Sequence, residues 1–422
     1  MTVDNSQRFP IDPHVKQTIS DEDIVPDSLL QIQADHAGIE IARSFTAGGK
    51  PFALEGEQHA AFRRLAESMQ RTAGLRDTIS LETILSLLTE WLRKTATGET
   101  KETASDFVLS KAQGEVGEYT IVMPLYHVLI QEPFELGKVT IRTLSREDID
   151  RWIGRQIKHD PEHAEAITQA GEKWRTKHQG VAAAWITLTA EPKRAYEVAR
   201  REAEDGLAML QVFSIGTIVP GARCYWTLFG SERVEQYAYF ALDTNEVKPL
   251  LGGSGYYRFR NSTASISSVL LAELKRRGLD IASGLLRMSK RNDFQEKLLE
   301  ALLIYSRSAI QEEMSEKLLY ILVALESFLI RDETEPIQQN LSERIAFTIG
   351  RNVVERQAIV KAVRKAYGLR SRFMHHGEEI DDVKAMEEFM AYAYSFFETA
   401  LHIDSVPTRK GFLDALEARK LT

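Results

Sequence analysis

Apolar residues return at three- and four-residue steps over residues 31–96. Ala60, Phe62, Leu65, Ala66 and Met69, then Leu81, Ile84, Leu85, Leu88, Trp91 and Leu92, mark the buried faces of successive helices. Gly48-Gly49-Lys50-Pro51 separates the first helical stretch from the next, and Gly98 with the polar run 99–105 closes this part. The texture changes at Asp106. Phe107-Val108-Leu109, Tyr119-Thr120-Ile121-Val122-Met123 and Val139-Thr140-Ile141 are short β-branched or aromatic runs set apart by Gly, Glu and Pro, which predicts strands and hairpins. Ser145-Arg146-Glu147-Asp148 has the spacing of a capping box and predicts a helix through Trp152. Asp160-Pro161-Glu162 reads as a second helix start, with proline at the first helical position. A strand over 181–189, a helix over 192–207 and a strand over 210–219 follow, with further strands expected at 224–229 and 234–242.

Gly252-Gly253-Ser254-Gly255 has the composition of a linker and marks the expected domain boundary, because beyond Asn261 the pattern is helical throughout. Six helices are expected there, over 265–277, 293–308, 312–331, 341–349, 354–376 and 381–402. Asn340-Leu341-Ser342-Glu343 is shaped like an N-cap with a carboxylate in the third position, and Gly350 sits where a left-handed C-terminal glycine would. Leu318, Leu319, Leu322, Leu325 and Leu329 give an apolar face that carries one acid, Glu326. The fold class expected is therefore α+β. An extended arm at 1–30 precedes a mixed helix/strand domain at 31–250, an all-α bundle at 262–405 and an amphipathic tail helix at 406–422.

Composition narrows the function classes. The chain has 422 residues, 43% hydrophobic and 27% charged, which is ordinary for a globular protein and enough for two or three domains. A formal net charge of -8 argues against a protein coated all over in nucleic acid, yet allows a local basic groove. Cys224 is the single cysteine, so an intramolecular disulfide and a cysteine-based zinc cage are excluded and a reducing, cytoplasmic setting is expected. Residues 1–13 are polar, unlike a signal peptide, and the longest apolar run, 318–330, is shorter than the ~20 residues a membrane span needs.

Most motifs have bland readings. Gly49-Lys50 is followed by Pro51 rather than by Ser or Thr, and Gly252 to Gly255 includes no lysine, so neither makes a phosphate loop. His159 and His163 are four apart, but Pro161 lies between them, so the rings need not share a face; no metal site is expected. Cys224 reads as a buried structural thiol. The stretch at 354–376 is different. It carries Arg356, Lys361, Arg364, Lys365, Arg370 and Arg372 against Glu355 alone, and ends in Arg370-Ser371-Arg372-Phe373-Met374-His375-His376-Gly377.

An arginine beside a histidine is what cleavage of RNA by its own 2′-hydroxyl uses. A base takes the hydroxyl proton, an acid protonates the leaving oxygen, and a cation stabilises the charge on the pentavalent phosphorus. Imidazole transfers protons near neutral pH, and guanidinium binds phosphate oxygens in pairs. Spacing alone is weak, since Arg8 and His14 also fit it. The bland alternative is a charged helix end capped by glycine.

The order of motifs adds more. Leu325-Glu326-Ser327, then Leu341-Ser342-Glu343-Arg344-Ile345-Ala346, then Tyr367-Gly368-Leu369-Arg370-Ser371-Arg372-Phe373-Met374-His375-His376-Gly377 resembles the HEPN superfamily, most closely its Apea-like branch, over about residues 290–402. The resemblance implies a helical bundle that dimerises around the basic helix, with metal-independent endoribonuclease activity and no cofactor, often in toxin–antitoxin or phage-defence systems. It maps the family's arginine to Arg370, its next polar residue to Ser371 and its histidine to His375. The usual pattern has one histidine before glycine; here His376 doubles it, so either ring can fill the role. Lys361, Arg364, Lys365 and Arg372 are then expected to guide the RNA, tRNA among the candidates. The N-terminal domain is expected to restrain or trigger the nuclease, with an antitoxin or a phage-derived trigger as partner. Two alternatives stand beside it: a non-catalytic nucleotide- or RNA-binding module that dimerises, and a structural regulator.

Overall fold

The computed structural model describes residues 44–420, apart from 48–49, 55, 73–74, 127, 225, 229–233, 242–250, 259–263 and 333. The expected arm at 1–30 lies outside them. The architecture is α+β, with a largely antiparallel sheet and a helical C-terminal region. The chain divides into two compact units, one running to Ile121 and including Thr187–Arg200, the other comprising Val122–Ile186 and Arg201 onward.

In the first unit, β1 (Ser44–Ala47) pairs antiparallel with β2 (Lys50–Ala53), where a helix had been expected. Three helices follow: α1 (Gly56–Gln70), α2 (Leu81–Ala96) and α3 (Ala104–Glu115). The apolar residues read from the sequence form their core, with Phe62, Leu65, Met69, Ile84, Leu88 and Trp91 buried. Phe107-Val108-Leu109 is helical, not a strand. Thr103 caps α3 by accepting the Asp106 N–H at 3.2 Å, and Ala104, Phe107, Val108 and Ala112 bury at helical spacing. A cap and a buried helical stripe thus outweigh the local β preference.

The second unit contains β4 (Val128–Ile130), β5 (Phe134–Leu136), β6 (Val139–Thr143), α4 (Arg146–His159) and α5 (Ala164–His178). The boundary between units falls inside β3 (Gly117–Tyr126), β7 (Ala182–Ala190) and α6 (Pro192–Val212). With β8 (Thr227–Leu228), the sheet order is β5-β6-β7-β3-β8. The capping box at Ser145 and Asp148 forms in both directions, and Arg142 bonds Asp148 at 2.9 Å while lying 3.4 Å above the Trp185 ring. Residues 210–219 are not a strand: α6 runs on to Val212, and a 3₁₀ turn spans Ile215–Thr217. The glycine run at 252–255 is not a linker, since it lies inside β10 (Leu251–Arg258), paired with β9 (Val234–Ala241).

After β11 (Ala264–Ile266) come α7 (Ser268–Arg276), α8 (Leu279–Arg287), α9 (Asp293–Ser306), α10 (Met314–Leu329), α11 (Ile337–Ile349), α12 (Val353–His376), α13 (Val383–Leu401) and α14 (Arg409–Lys420). Helix α8 was not anticipated. It docks on the β5–β6 turn, where Gly137 takes a left-handed φ of 61° and donates its N–H to Ser283 Oγ at 2.8 Å. A Cβ on Gly137 would stand 2.9 Å from Leu286 Cβ, so glycine is required there on both counts. Helix α11 begins at Ile337, which puts Asn340 inside the helix rather than at its cap, and Gly350 ends it with φ of -81°, not left-handed.

Two buried cations tie this region together. Lys317 on α10 is fully buried and donates to the carbonyls of Gly216 and Ala222 at 2.7 Å and of Ser308 at 3.1 Å. Arg344, 2% exposed, bonds both Glu335 oxygens at 2.7 and 2.8 Å, the Leu329 carbonyl at 2.6 Å and Glu417 of α14 at 3.1 Å. Phe412 of α14 packs edge-on against Phe294, with ring centres 5.4 Å apart, so the tail helix is part of this core. The Arg344 bonds hold Glu335 down at about 2, below its ordinary 4.5.

Replacing Arg344 by alanine removes a buried, four-bonded guanidinium and leaves the partly buried Glu335 carboxylate without its main partner, and is expected to cost about 3 kcal/mol in chemical denaturation. Because folding depresses the Glu335 pKa, its contribution is whole above pH 4.5 and drains as pH falls toward about 2. The stability of the Arg344→Ala protein should therefore depend less on pH across that window than that of the parent.

Candidate active site

Every residue expected at the site lies on α12. Asn352 caps its start by accepting the Glu355 N–H at 2.9 Å. Gly377 ends it in the left-handed region, φ 66°, with its N–H on the Phe373 carbonyl at 3.0 Å. Ile359, Ala362, Val363, Ala366 and Leu369 bury one face, and Tyr367 and Arg370 flank that face where α12 packs on α10.

At this edge one carboxylate serves two donors. Glu326 Oε1 accepts the Tyr367 hydroxyl at 2.5 Å and Arg370 Nη1 at 3.2 Å. The Arg370 guanidinium also lies 5.9 Å from the Tyr367 ring centre. Burial lifts the Tyr367 phenol above its ordinary range, and the bond to Glu326 lifts it further, so the ring stays a proton donor to the acid. Arg370 spends one of its five N–H groups on Glu326, and its side chain is 32% exposed. It is thus oriented without being used up.

A surface cleft of about 550 Å³ lies beside this trio, lined by Gln338, Tyr367, Gly368, Arg370, Ser371, Met374 and His375. Of the four residues expected to carry the chemistry, the structure brings Arg370, Ser371 and His375 to one cleft. His376 is not among its lining; its ring centre is 6.5 Å from that of His375, with the planes inclined at 63°. Such an arrangement can hold an anion on the guanidinium and exchange a proton through the imidazole.

The flanking cations separate. Lys361 and Arg364 line a second cleft. Lys365 pairs with Asp382 at 2.7 Å, lowering that carboxyl's pKa, and Arg372 pairs with Glu378 at 3.4 Å. The acids follow the helix directly, where a count over 354–376 does not see them. Both pairs are solvent-exposed and worth about 0–1 kcal/mol, so a polyanion displaces them cheaply.

The other candidates recede. His159 ends α4 while His163 closes a 3₁₀ turn and bonds Asp160 at 2.9 Å. Cys224 is buried, its thiol pushed up to about 12 by desolvation. Among the described residues no group of three or more His, Cys, Asp or Glu is placed to hold a metal ion, and no helix is long and apolar enough to cross a membrane. Sequence reasoning missed what Glu326, Gln338 and Gly368 do. The lone acid on the apolar face of α10 was the available signal for the first; the other two had none.

No protein-family model, curated protein or solved structure matches this chain.

Tyr367→Phe removes a hydrogen bond to a charged acceptor and should lower the unfolding free energy by about 1.5–3 kcal/mol in urea; a change under about 0.5 kcal/mol would show that the bond is not made. Gly368→Ala should act oppositely. A Cβ there would meet only Arg372 Nη1, at 4.0 Å, so the helix gains about 0.5–1 kcal/mol while the cleft loses room.

Proposed function

We propose that the α12 cleft cleaves RNA as a HEPN-type endoribonuclease. The observation that carries this reading is that Arg370, Ser371 and His375 line one cleft while Glu326 fixes the arginine from behind. A phosphodiester bound to the unspent N–H groups of Arg370 would place its ribose near His375. The imidazole takes the 2′-hydroxyl proton, or returns one to the leaving oxygen, and the guanidinium stabilises the dianionic phosphorane. Ser371 supplies a hydroxyl for orientation. Cleavage needs two proton transfers, and this cleft supplies one imidazole, since Tyr367 is committed to Glu326. The second imidazole would come from the same residue of another copy of the chain, docked about α12. Met374, 58% exposed beside His375, gives that copy an apolar contact.

One observation favours a second reading, a non-catalytic nucleotide-binding module. Glu326 offsets part of the Arg370 charge, as a structural arginine would have it.

Purified protein incubated in EDTA with total RNA or tRNA separates the two. The parent is expected to cut; Arg370→Ala and His375→Ala should each lose at least about 100-fold in rate, and His376→Ala should lose far less. Absence of cleavage by the parent, or undiminished cleavage by His375→Ala, would sink the nuclease reading.

A further inference from the structure

The second cleft on α12, about 460 Å³, is lined by Phe347 of α11 and by Val353, Arg356, Val360, Lys361 and Arg364. We infer that it is a subsite for single-stranded RNA, holding a base and its phosphates a few nucleotides from the scissile bond. This rests on the RNA reading above and deepens it.

Three features of the cleft suit such a ligand. Its floor is apolar and accessible: Val353 is 65% exposed, and Phe347 and Val360 are half-buried. The Arg356 guanidinium lies 4.4 Å from the Phe347 ring centre and is fixed by a bond from Nε to the Gly350 carbonyl at 3.2 Å. A guanidinium stacked on an aromatic ring is a flat, cationic platform of the kind on which unpaired bases stack. Finally, three cations line the cleft and no acid does. Neither Lys361 nor Arg364 has a side-chain hydrogen bond or ion pair among the described residues. Glu343, whose carboxylate lies within the field of Arg364, is already bonded by Lys420 at 2.8 Å.

Position along the helix links the two clefts. Residues separated by about 100° per step place Val353, Val360, Arg364, Ser371 and His375 on one face of α12. Arg364 and His375 are eleven residues apart, about 16 Å of helix. Gln338 joins them, lining the first cleft and donating to the Arg364 carbonyl at 3.2 Å. A strand that leaves the Arg370 cleft along this face meets Arg364, then Lys361, then the stacked arginine.

The test uses the whole chain and fluorescein-labelled oligouridine with 2′-O-methyl sugars, which cannot be cut through the 2′-hydroxyl. The parent should bind a 10-mer at least about 10-fold more tightly than a 3-mer, as the salt dependence of phosphate contacts implies. Lys361→Ala with Arg364→Ala should erase most of that preference and flatten the slope of log affinity against log salt by about 1.4. Gln357→Glu, an exposed change at the rim, should weaken the 10-mer by charge alone. Unchanged 10-mer binding in both variants overturns the subsite, as does a shift in their sedimentation coefficient, which would mean that a second copy covers the groove. Binding that depends on Lys361 in a protein that never cuts RNA keeps the subsite and removes the nuclease; cutting that ignores these variants does the reverse.

Discussion

The cleft on α12 depends on one carboxylate. Glu326 sits on a helix whose inward residues, apart from Lys317 near its start, are leucine, isoleucine, alanine and phenylalanine, so its charge is costly unless it is bonded. Tyr367 and Arg370, one turn apart on α12, supply those bonds. The rotation of α12 against α10 is thereby fixed, and every group at later positions inherits it: once Arg370 must reach Glu326, Ser371 and His375 fall toward the cleft and His376 away from it. The phenol, held protonated by burial and by the acid, lets Glu326 remain an acceptor for both.

What the sequence made legible follows the strength of its local signals. The helices over 293–402, the capping box at Ser145 and the basic stretch with its glycine stop were readable because period, cap chemistry and left-handed glycine act within one or two turns. The strand expected at 107–109 failed because β-branched and aromatic residues also fill a helix face when a cap such as Thr103 starts the helix. The glycine run at 252–255 read as a linker because glycine weakens strands, yet β9 pairs with it residue for residue. At the site, Arg370, Ser371 and His375 could be named from order and spacing. Which of His375 and His376 lines the cleft could not, since that turns on contacts with α10 more than forty residues away along the chain.

Charge gives a similar lesson. Six cations over one helix look like a continuous basic surface, but the folded chain sorts them by partner. Lys365 and Arg372 meet acids at the helix exit, Arg370 meets Glu326, and Arg356 stacks on Phe347. Lys361 and Arg364 are left to attract an anion. A count of charges along the sequence cannot show this, because the neutralising groups lie on other segments.

That sorting bears on how an RNA would be held. Within the α12 cleft Glu326 offsets part of the Arg370 charge, so the cleft offers a phosphate well-placed N–H groups but a reduced net attraction. Along the helix Arg364 lies six residues, about 9 Å, from Arg370 and Lys361 nine residues, about 14 Å, against the ~8–10 Å over which charges at the surface act in physiological salt. Both can raise affinity for a chain that spans the two clefts, while at the scissile phosphate Arg364 adds only a screened field and Lys361 less. A phosphorane in the cleft would draw its stabilisation from the unspent N–H groups of Arg370, whereas the second proton transfer has no imidazole within the lining. A second copy docked about α12 would bring another His375 to the cleft and so answer the missing proton carrier. The need for two proton carriers at one phosphate is the physical argument for a composite site over a single-chain one.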